Sequence, residues 1–167
     1  MKILMTEEEI TQRVAALGES ITEAYRGKDL TVVVIMNGAL LFGADLVRRI
    51  QLPIRIDLFA ASSYENDRSS GKLKVRSELK NSPAGRHLLL VDDILDTGFS
   101  MKCIREHLAG SGALSIRTCV LLNKHVGGKQ FLAPDWVGFD IPDRYVVGYG
   151  LDSEEEYRNL PYIGILE

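Results

Sequence analysis

Short uninterrupted apolar runs alternate along this chain with longer segments in which apolar residues recur every three or four positions. β-Branched runs such as residues 31–36 are typical of buried strands in a parallel sheet. Helical spacing after the capping-box pattern at Thr6 and Glu9 predicts a first helix. Strands that alternate with helices favour a doubly wound α/β fold. The predicted helices cover residues 7–26, 40–50 and 100–109, and the predicted strands cover residues 31–36, 54–61, 75–79, 87–91, 114–122, 136–141, 145–149 and 162–166.

Residues 62–74 depart from this pattern, because they are mostly polar and offer little to bury. A stretch of this kind inside a compact domain is typical of either a mobile lid or a disordered insertion. Residues 123–133, which include Gly127 and Gly128, are predicted to form another loop. The chain shows no internal repeat and no linker, so its 167 residues are expected to form one domain.

Composition excludes several classes of protein. The formal net charge of −3 argues against a protein that mainly coats nucleic acid. Cys103 and Cys119 form no C-x-x-C pair and indicate neither a disulfide framework nor a zinc site. The first residues turn acidic too early for a signal peptide, and the apolar runs are too short to span a membrane. We therefore expect a cytoplasmic protein with reduced thiols.

Three carboxylates and a hydroxyl-rich turn follow the apolar run 87–91, where a doubly wound sheet binds its ligands. Asp92 and Asp93 come directly after the run, and their side chains should point to opposite sides. Asp96 lies within the turn. The turn from Thr97 to Ser100 offers N–H and hydroxyl groups to a phosphate. The stretch predicts a phosphate-bearing substrate, a divalent cation and a reaction that needs an acid or a base.

The alternatives to a functional site at this stretch fit less well. An aspartate-rich turn would use Asp96 or Ser100 only as a helix cap. Haloacid-dehalogenase phosphatases need alternating aspartates, whereas Asp92 and Asp93 are adjacent. Response regulators need an early acidic pair, which this sequence lacks, and neither a G-x-G-x-x-G nor a Walker A pattern occurs. The ordered set of strand, acidic pair, third acid and hydroxyl turn favours function.

Residues 91–98 resemble the phosphoribosyl-pyrophosphate signature of type I phosphoribosyltransferases. Residues 137–160 resemble the hypoxanthine-guanine phosphoribosyltransferases and are the more specific of the two segments. Shorter segments follow the same family in the same order, at residues 32–38, 63–64 and 121–124. The resemblance covers most of the chain after about Thr31.

The resemblance implies the type I phosphoribosyltransferase fold, a parallel twisted sheet flanked by helices with a small hood over the site. The core would span about residues 30–135. The hood would come from about residues 136–167, with an N-terminal contribution allowed. Residues 62–75 would form a mobile lid, with Ser63 and Tyr64 at its tip.

The resemblance also implies how the acidic stretch binds phosphoribosyl pyrophosphate. Asp92 and Asp93 would hold the ribose hydroxyls, partly through Mg²⁺. Asp96 would lie near purine N7 as the proton acceptor. The residues that would bind the 5′-phosphate are Thr97, Gly98, Phe99 and Ser100.

Purine recognition is assigned by the same resemblance to residues further along the chain. Lys124 would contact the purine O6 and so select 6-oxopurines. Tyr145 would stack on the ring, and Val146 would supply backbone contacts at its edge. Asp152 would lie at the purine site and bind a metal ion on the pyrophosphate.

Pyrophosphate binding is assigned to Asn37, Gly38 and Arg158. Many relatives carry a lysine where this chain has Asn37, so that charge is missing here. The family often uses this position through its backbone, with a non-proline cis peptide before it. A cis Met36–Asn37 bond is therefore a hypothesis.

Each of these residues taken alone has an ordinary structural alternative. Lys124 would more often be a surface lysine in a turn, and Tyr145 a core residue. Asp152 would more often cap a helix that starts in the acidic residues after it. Arg158 could pair with Glu154 on a helix face. The functional assignments depend on the ordered set.

The resemblance thus implies a Mg²⁺-dependent purine-salvage enzyme that makes inosine or guanosine 5′-monophosphate from hypoxanthine or guanine. Its partners would be a 6-oxopurine and phosphoribosyl pyrophosphate, with neither nucleic acid nor membrane. The family implies a homodimer or homotetramer, with residues 40–50 as a candidate contact helix. Two alternatives stay open: a xanthine-preferring phosphoribosyltransferase and an RNA-binding regulator built on the same fold.

Overall fold

The computed structural model describes residues 1–63 and 73–167. Within these ranges the chain forms nine strands and three helices, and no described helix combines the length and hydropathy needed to cross a membrane. The strands are β1 Lys2–Met5, β2 Leu30–Ile35, β3 Arg55–Ser63, β4 Leu73–Ser77, β5 His87–Leu95, β6 Ser115–His125, β7 Trp136–Pro142, β8 Val146–Val147 and β9 Ile163–Ile165, and the helices are α1 Glu7–Ala24, α2 Leu40–Val47 and α3 Phe99–Ala109.

A six-stranded sheet with the order β4-β3-β2-β5-β6-β7 forms the body of the protein. All neighbouring strands in it are parallel except β3 and β4. Successive residues of a strand point to opposite faces. Val32 and Val34 therefore pack with α1 and α2, whereas Val33 and Ile35 pack with α3. Burial on both faces explains the uninterrupted apolar runs and confirms the predicted α/β fold.

Helix α1 begins at the predicted capping box. The Glu9 N–H donates to Thr6 Oγ1 at 3.2 Å, and the Thr6 N–H donates to Glu9 Oε2 at 2.8 Å. Arg13 then ties the helix to the far edge of the sheet, because its guanidinium donates to the carbonyls of Val137 and Gly138 at 2.8 and 2.7 Å. The helix thus spans the sheet over a buried apolar face.

A second sheet of three short strands, with the order β1-β9-β8, stands apart from the first. Its N-terminal strand β1 was not predicted. Strand β7, which the sequence assigned to the hood, pairs with β6 in the larger sheet. The segment from about residue 136 onward is therefore divided between the two sheets.

The helix suggested by the acidic residues after Asp152 does not form. Residues 152–162 make a series of turns instead. Glu154, Glu155 and Tyr157 have positive φ angles of 52°, 66° and 76°, which no right-handed helix accommodates. A capping pattern alone was therefore a misleading signal at this position.

Candidate active site

A cavity of about 290 Å³ lies at the carboxyl end of β5, where α3 begins. Gly98 precedes α3 with a φ of 83°, so neither Asp96 nor Ser100 is the N-cap that the alternative reading required. A Cβ at Gly98 would lie 3.0 Å from the Leu132 backbone nitrogen, and only glycine fits this approach without strain. The cavity is lined by Asp92, Ile94, Leu95, Asp96, Thr97, Gly98, Phe99, Ser100, Met101 and Val126.

The turn at this cavity is suited to a phosphate. Thr97 is fixed at both ends, because its Oγ1 accepts from the Phe99 N–H at 3.3 Å and its carbonyl accepts from the Phe131 N–H at 2.8 Å. The N-terminus of α3, which is the positive end of the helix dipole, borders the same space. A dianionic phosphate monoester would meet both features there.

Asp92 and Asp93 lie within β5 rather than after it, because the strand continues to Leu95. Burial raises the pKa of both carboxyl groups, and for Asp92 the neighbouring charge of Asp93 adds to the rise. The Arg158 charge acts in the opposite direction on Asp93. A partly buried acidic pair with so little compensating charge is suited to hydroxyl donors or a cation.

The side chains of Asp92 and Asp93 have different neighbours, as the alternation of side chains along a strand predicts. Asp92 lines the cavity at the start of α3. Asp93 packs against Gly38, where a Cβ would lie 2.7 Å from the Asp93 Cγ. Gly150 in turn packs against the Gly38 carbonyl. The loop after β2 is thereby held between β5 and the C-terminal segment, and its Met36–Asn37 peptide is cis as hypothesised.

Arg158 reaches this loop from the other side. Its Nη1 donates to the Gly150 carbonyl at 2.6 Å, and its Nη2 lies 3.4 Å from Asp152 Oδ1 and 3.1 Å from Glu155 Oε1. The pairing with Glu154 on a helix face, considered from the sequence, does not occur. Asp152 accepts from the Glu155 N–H at 2.9 Å and so stabilises a turn. Asn37, Gly38, Asp152 and Arg158 thus belong to one region.

Lys124 lies in β6, because that strand continues to His125 instead of ending at residue 122. Its side chain is only 13% exposed, unlike a surface lysine, and its Nζ lies 3.6 Å from Asp96 Oδ1. Asp96 is 55% exposed. A second cavity of about 240 Å³ adjoins the pair and shares Asp96 and Val126 with the first. Asp96 therefore lies between the cavity at the start of α3 and the cavity that Lys124 lines.

Tyr145 and Val146 stand at the start of the C-terminal segment. Tyr145 is 56% exposed rather than in the core, and its hydroxyl donates to the Asp152 carbonyl at 3.4 Å. Val146 is buried in β8. Of the predicted lid, Ser63 is the last residue of β3, whereas Tyr64 and most of the lid lie outside the described residues.

Sequence reasoning missed several residues that support the site. Gly150 separates the Gly38 carbonyl from Arg158, and the alternation of glycines at 148 and 150 was its only signal. Asp140 accepts hydrogen bonds from Asn123 and His125, the two neighbours of Lys124. Tyr149 donates to Asp45 Oδ2 of α2 at 2.5 Å. No short motif announced the last two contacts.

Residues 1–63 and 73–167 bring together no group of three or more His, Cys, Asp or Glu side chains that could hold a metal ion by themselves. Mg²⁺ usually takes one or two protein carboxylates and completes its shell with water and substrate phosphates. The partly buried Asp92–Asp93 pair and Asp152 fit that mode of binding. The coordination shell of such a metal ion is complete only when the substrate supplies the remaining oxygen ligands.

Comparison with known proteins places the chain in a family. Residues 2–154 match the phosphoribosyl transferase domain. The hypoxanthine-guanine phosphoribosyltransferase of Bacillus subtilis is 41% identical over 99% of this chain and 93% of its own length, and the hypoxanthine-guanine-xanthine phosphoribosyltransferase of Tritrichomonas foetus is 35% identical over 99% and 91%. A hypoxanthine phosphoribosyltransferase structure from Staphylococcus aureus superposes with a TM-score of 0.95 at 39% identity, covering 100% of this chain and 91% of that one. The chain therefore belongs to the phosphoribosyltransferases, among the hypoxanthine-guanine enzymes.

Proposed function

We propose that this enzyme transfers the 5-phosphoribosyl group from phosphoribosyl pyrophosphate to N9 of hypoxanthine or guanine, which yields inosine or guanosine 5′-monophosphate and pyrophosphate. The observation that carries the proposal is the position of Asp96. It lies between a cavity suited to a phosphate and a neighbouring space that Lys124 enters. One carboxylate can therefore reach the base while the sugar phosphate is anchored beside it.

The ribose phosphate is proposed to occupy the end of β5. The residues Thr97, Gly98, Phe99 and Ser100 bind the 5′-phosphate with backbone and hydroxyl donors at the start of α3. Asp92 and Asp93 accept from the ribose hydroxyls. Their raised pKa values reflect burial that such donors would compensate.

The purine is proposed to lie between Asp96 and the C-terminal segment. Asp96 accepts the proton at N7, a role worth about 10²–10⁴-fold in rate for a well-placed base. Lys124 donates to the 6-oxo group and leaves a 6-amino group without an acceptor, which gives discrimination. Tyr145 stacks on the ring, Val146 contacts its edge through the backbone, and Asp152 closes the same side.

Pyrophosphate is proposed to leave toward Asn37, Gly38 and Arg158. Asn37 contributes no charge, so among the residues assigned to this subsite the positive charge comes from Arg158. Mg²⁺, held by Asp152 and the Asp92–Asp93 pair together with substrate oxygens, would neutralise the charge of the departing pyrophosphate. The lid of residues 62–75, with Ser63 and Tyr64, would exclude water that could capture the sugar cation.

We further propose a cytoplasmic homodimer or homotetramer whose contact includes the helix predicted at residues 40–50. Leu40, at the start of α2, is exposed. Ile56 and Leu58 of β3 are also exposed and, by strand alternation, lie on the same face of the sheet as α2. Sedimentation would test this: Leu58→Lys should shift the assembly toward monomers, and an unchanged sedimentation coefficient would argue against this contact.

A xanthine-preferring enzyme is the second candidate, because one relative at 35% identity is named as acting on xanthine as well. Initial rates with hypoxanthine, guanine, xanthine and adenine at fixed phosphoribosyl pyrophosphate separate the candidates. We expect turnover of hypoxanthine and guanine and almost none of adenine. A strong preference for xanthine would replace the proposal with the second candidate. Salt-dependent RNA binding without turnover of any base would indicate a regulator.

A further inference from the structure

The two residues on either side of Lys124 are held by one carboxylate. Asp140 Oδ1 in β7 accepts from Asn123 Nδ2 at 3.0 Å and from His125 Nε2 at 2.9 Å. Strand alternation puts Asn123 and His125 on one face of β6 and Lys124 on the other. Lys124 therefore projects toward Asp96 from a strand end whose opposite face is anchored by Asp140.

This anchor lies where the sheet itself holds β6 least. The pairing of β6 with β5 ends at Leu95 and Asn123, so the last two residues of β6 are held by β7. The partner of His125 in that pairing is Pro142, which has no N–H to donate to the ladder. Side-chain hydrogen bonds to Asp140 thus take over where backbone bonds become sparse.

The electrostatics of this contact favour a charged acceptor. The hydrogen bonds from Asn123 and His125 hold the pKa of Asp140 below its ordinary value. At neutral pH the carboxylate is ionised, so both bonds are charge-assisted and stronger than neutral ones. Asn123 is buried, which limits competition from water for its amide.

We propose that Asp140 is a positioning residue of the purine subsite: by binding the side chains that flank Lys124, it sets where the Lys124 ammonium meets the base. The inference rests on the proposed function, because it takes Lys124 as the contact of the purine 6-oxo group. Asp140 itself lines neither of the two cavities that Asp96 separates. Its effect reaches the base through one strand end, where small displacements of a donor have large consequences.

The test compares three variants by steady-state kinetics with hypoxanthine, adenine and phosphoribosyl pyrophosphate. Asp140→Ala should raise the KM for hypoxanthine about tenfold and narrow the preference over adenine, with the KM for phosphoribosyl pyrophosphate nearly unchanged. Asp140→Asn keeps an acceptor oxygen and should stay within about fivefold of the unmodified enzyme. Asp135→Ala is the matched control, because Asp135 accepts from the Thr118 N–H at the opposite end of the same strands.

A fourth variant asks whether Asp140 acts through Lys124. In a Lys124→Ala background, Asp140→Ala should have little further effect on hypoxanthine kinetics, because the group that it positions is gone. The inference would be overturned if the effects of Asp140→Ala and Lys124→Ala were additive, or if Asp140→Ala raised the KM values for hypoxanthine and phosphoribosyl pyrophosphate equally. Asp140 would then have a general structural role. If the unmodified enzyme turned over no 6-oxopurine, the proposed function and this inference would fail together. Turnover with an unchanged Asp140→Ala variant would remove only the inference.

Discussion

The end of β5 and the segment from Tyr145 to Arg158 build the two halves of the same site by different means. At β5 a buried parallel strand leads directly into a turn and a helix, so neighbours in sequence are neighbours in space. The C-terminal segment has a two-residue strand, successive turns and four non-glycine residues with positive φ. Its geometry depends on contacts with distant residues such as Gly38 and Asp45. Residues close in sequence build the half that is proposed to bind the sugar phosphate, whereas long-range contacts place the groups that are proposed to select the base.

The largest effect is expected from a substitution of Asp96, the proposed base in the β5 half of the site. Asp96→Asn removes the proposed proton acceptor but keeps the shape of the side chain. We expect kcat to fall by about 10²–10⁴-fold, with a much smaller change in the KM for phosphoribosyl pyrophosphate. Steady-state kinetics with both substrates varied measures this split. Asp29→Asn, an exposed aspartate before β2, is the control. Undiminished turnover in the Asp96 variant would refute the base role.

The second largest effect is expected from a substitution that strains the backbone of the same half of the site. Gly98→Ala forces a Cβ against the Leu132 backbone at a φ of 83°. The strained conformation should cost about 1–3 kcal/mol of stability. We also expect at least about a tenfold rise in the KM for phosphoribosyl pyrophosphate, because misplaced donors bind phosphate poorly.

Gly110→Ala is the control for this prediction. It lies at the other end of α3 with a φ of −87° and open space around it, so its stability should hold or rise slightly. Thermal unfolding and KM measurements compare the two variants. If the two variants changed equally in thermal stability and in the KM for phosphoribosyl pyrophosphate, the turn before α3 would not depend on Gly98.

The third effect tests base selection at the junction of the two regions. Lys124→Ala removes the proposed donor to the 6-oxo group, and we expect the preference for hypoxanthine over adenine in kcat/KM to fall at least about tenfold. The comparison is made at saturating phosphoribosyl pyrophosphate. Lys28→Ala, an exposed lysine between α1 and β2, should leave the preference unchanged. Unaltered selectivity in the Lys124 variant would assign recognition of the 6-position elsewhere.

The same contrast explains how much the sequence could predict. The large sheet and its helices followed from apolar runs and helical periodicity, and the acidic pair and phosphate turn followed from adjacent residues. Strand ends were placed too early at β5 and β6, because the polar residues that end these strands resemble a loop. Strand β1 exists through pairing with β9, some 160 residues away in the chain, which no local pattern reveals.

Within the candidate site, the assignments of Lys124, Asp152 and Arg158 came only from the family resemblance. Physical reasoning from single residues favoured ordinary roles for them. The acidic pattern after Asp152 even predicted a helix turn, which the positive φ angles of Glu154 and Glu155 exclude. Contacts across the sheet and between the sheets decide these positions, and their partners lie too far along the chain for spacing rules to find.

The smallest effect tests whether the C-terminal segment is held by such a distant contact. Tyr149 has a φ of 49°, and its hydroxyl donates to Asp45 in α2. Burial, followed by the hydrogen bond to Asp45, raises the pKa of Tyr149, so the hydroxyl keeps its proton at neutral pH. Tyr149→Phe should cost about 1 kcal/mol of stability, because it removes one hydrogen bond and leaves the ring in place.

The kinetic consequence of Tyr149→Phe separates the two halves of the site. Because Tyr149 lies between Val146 and Asp152, loosening it should raise the KM for the purine by about two- to fivefold. The KM for phosphoribosyl pyrophosphate at the β5 end should change less. Tyr162→Phe, in the same C-terminal part of the chain, is the matched control for loss of a hydroxyl. If Tyr149→Phe raised the KM values for the purine and for phosphoribosyl pyrophosphate equally, the contact with α2 would support the whole site rather than only its purine half. The structural difference between the two halves would then have no counterpart in substrate binding.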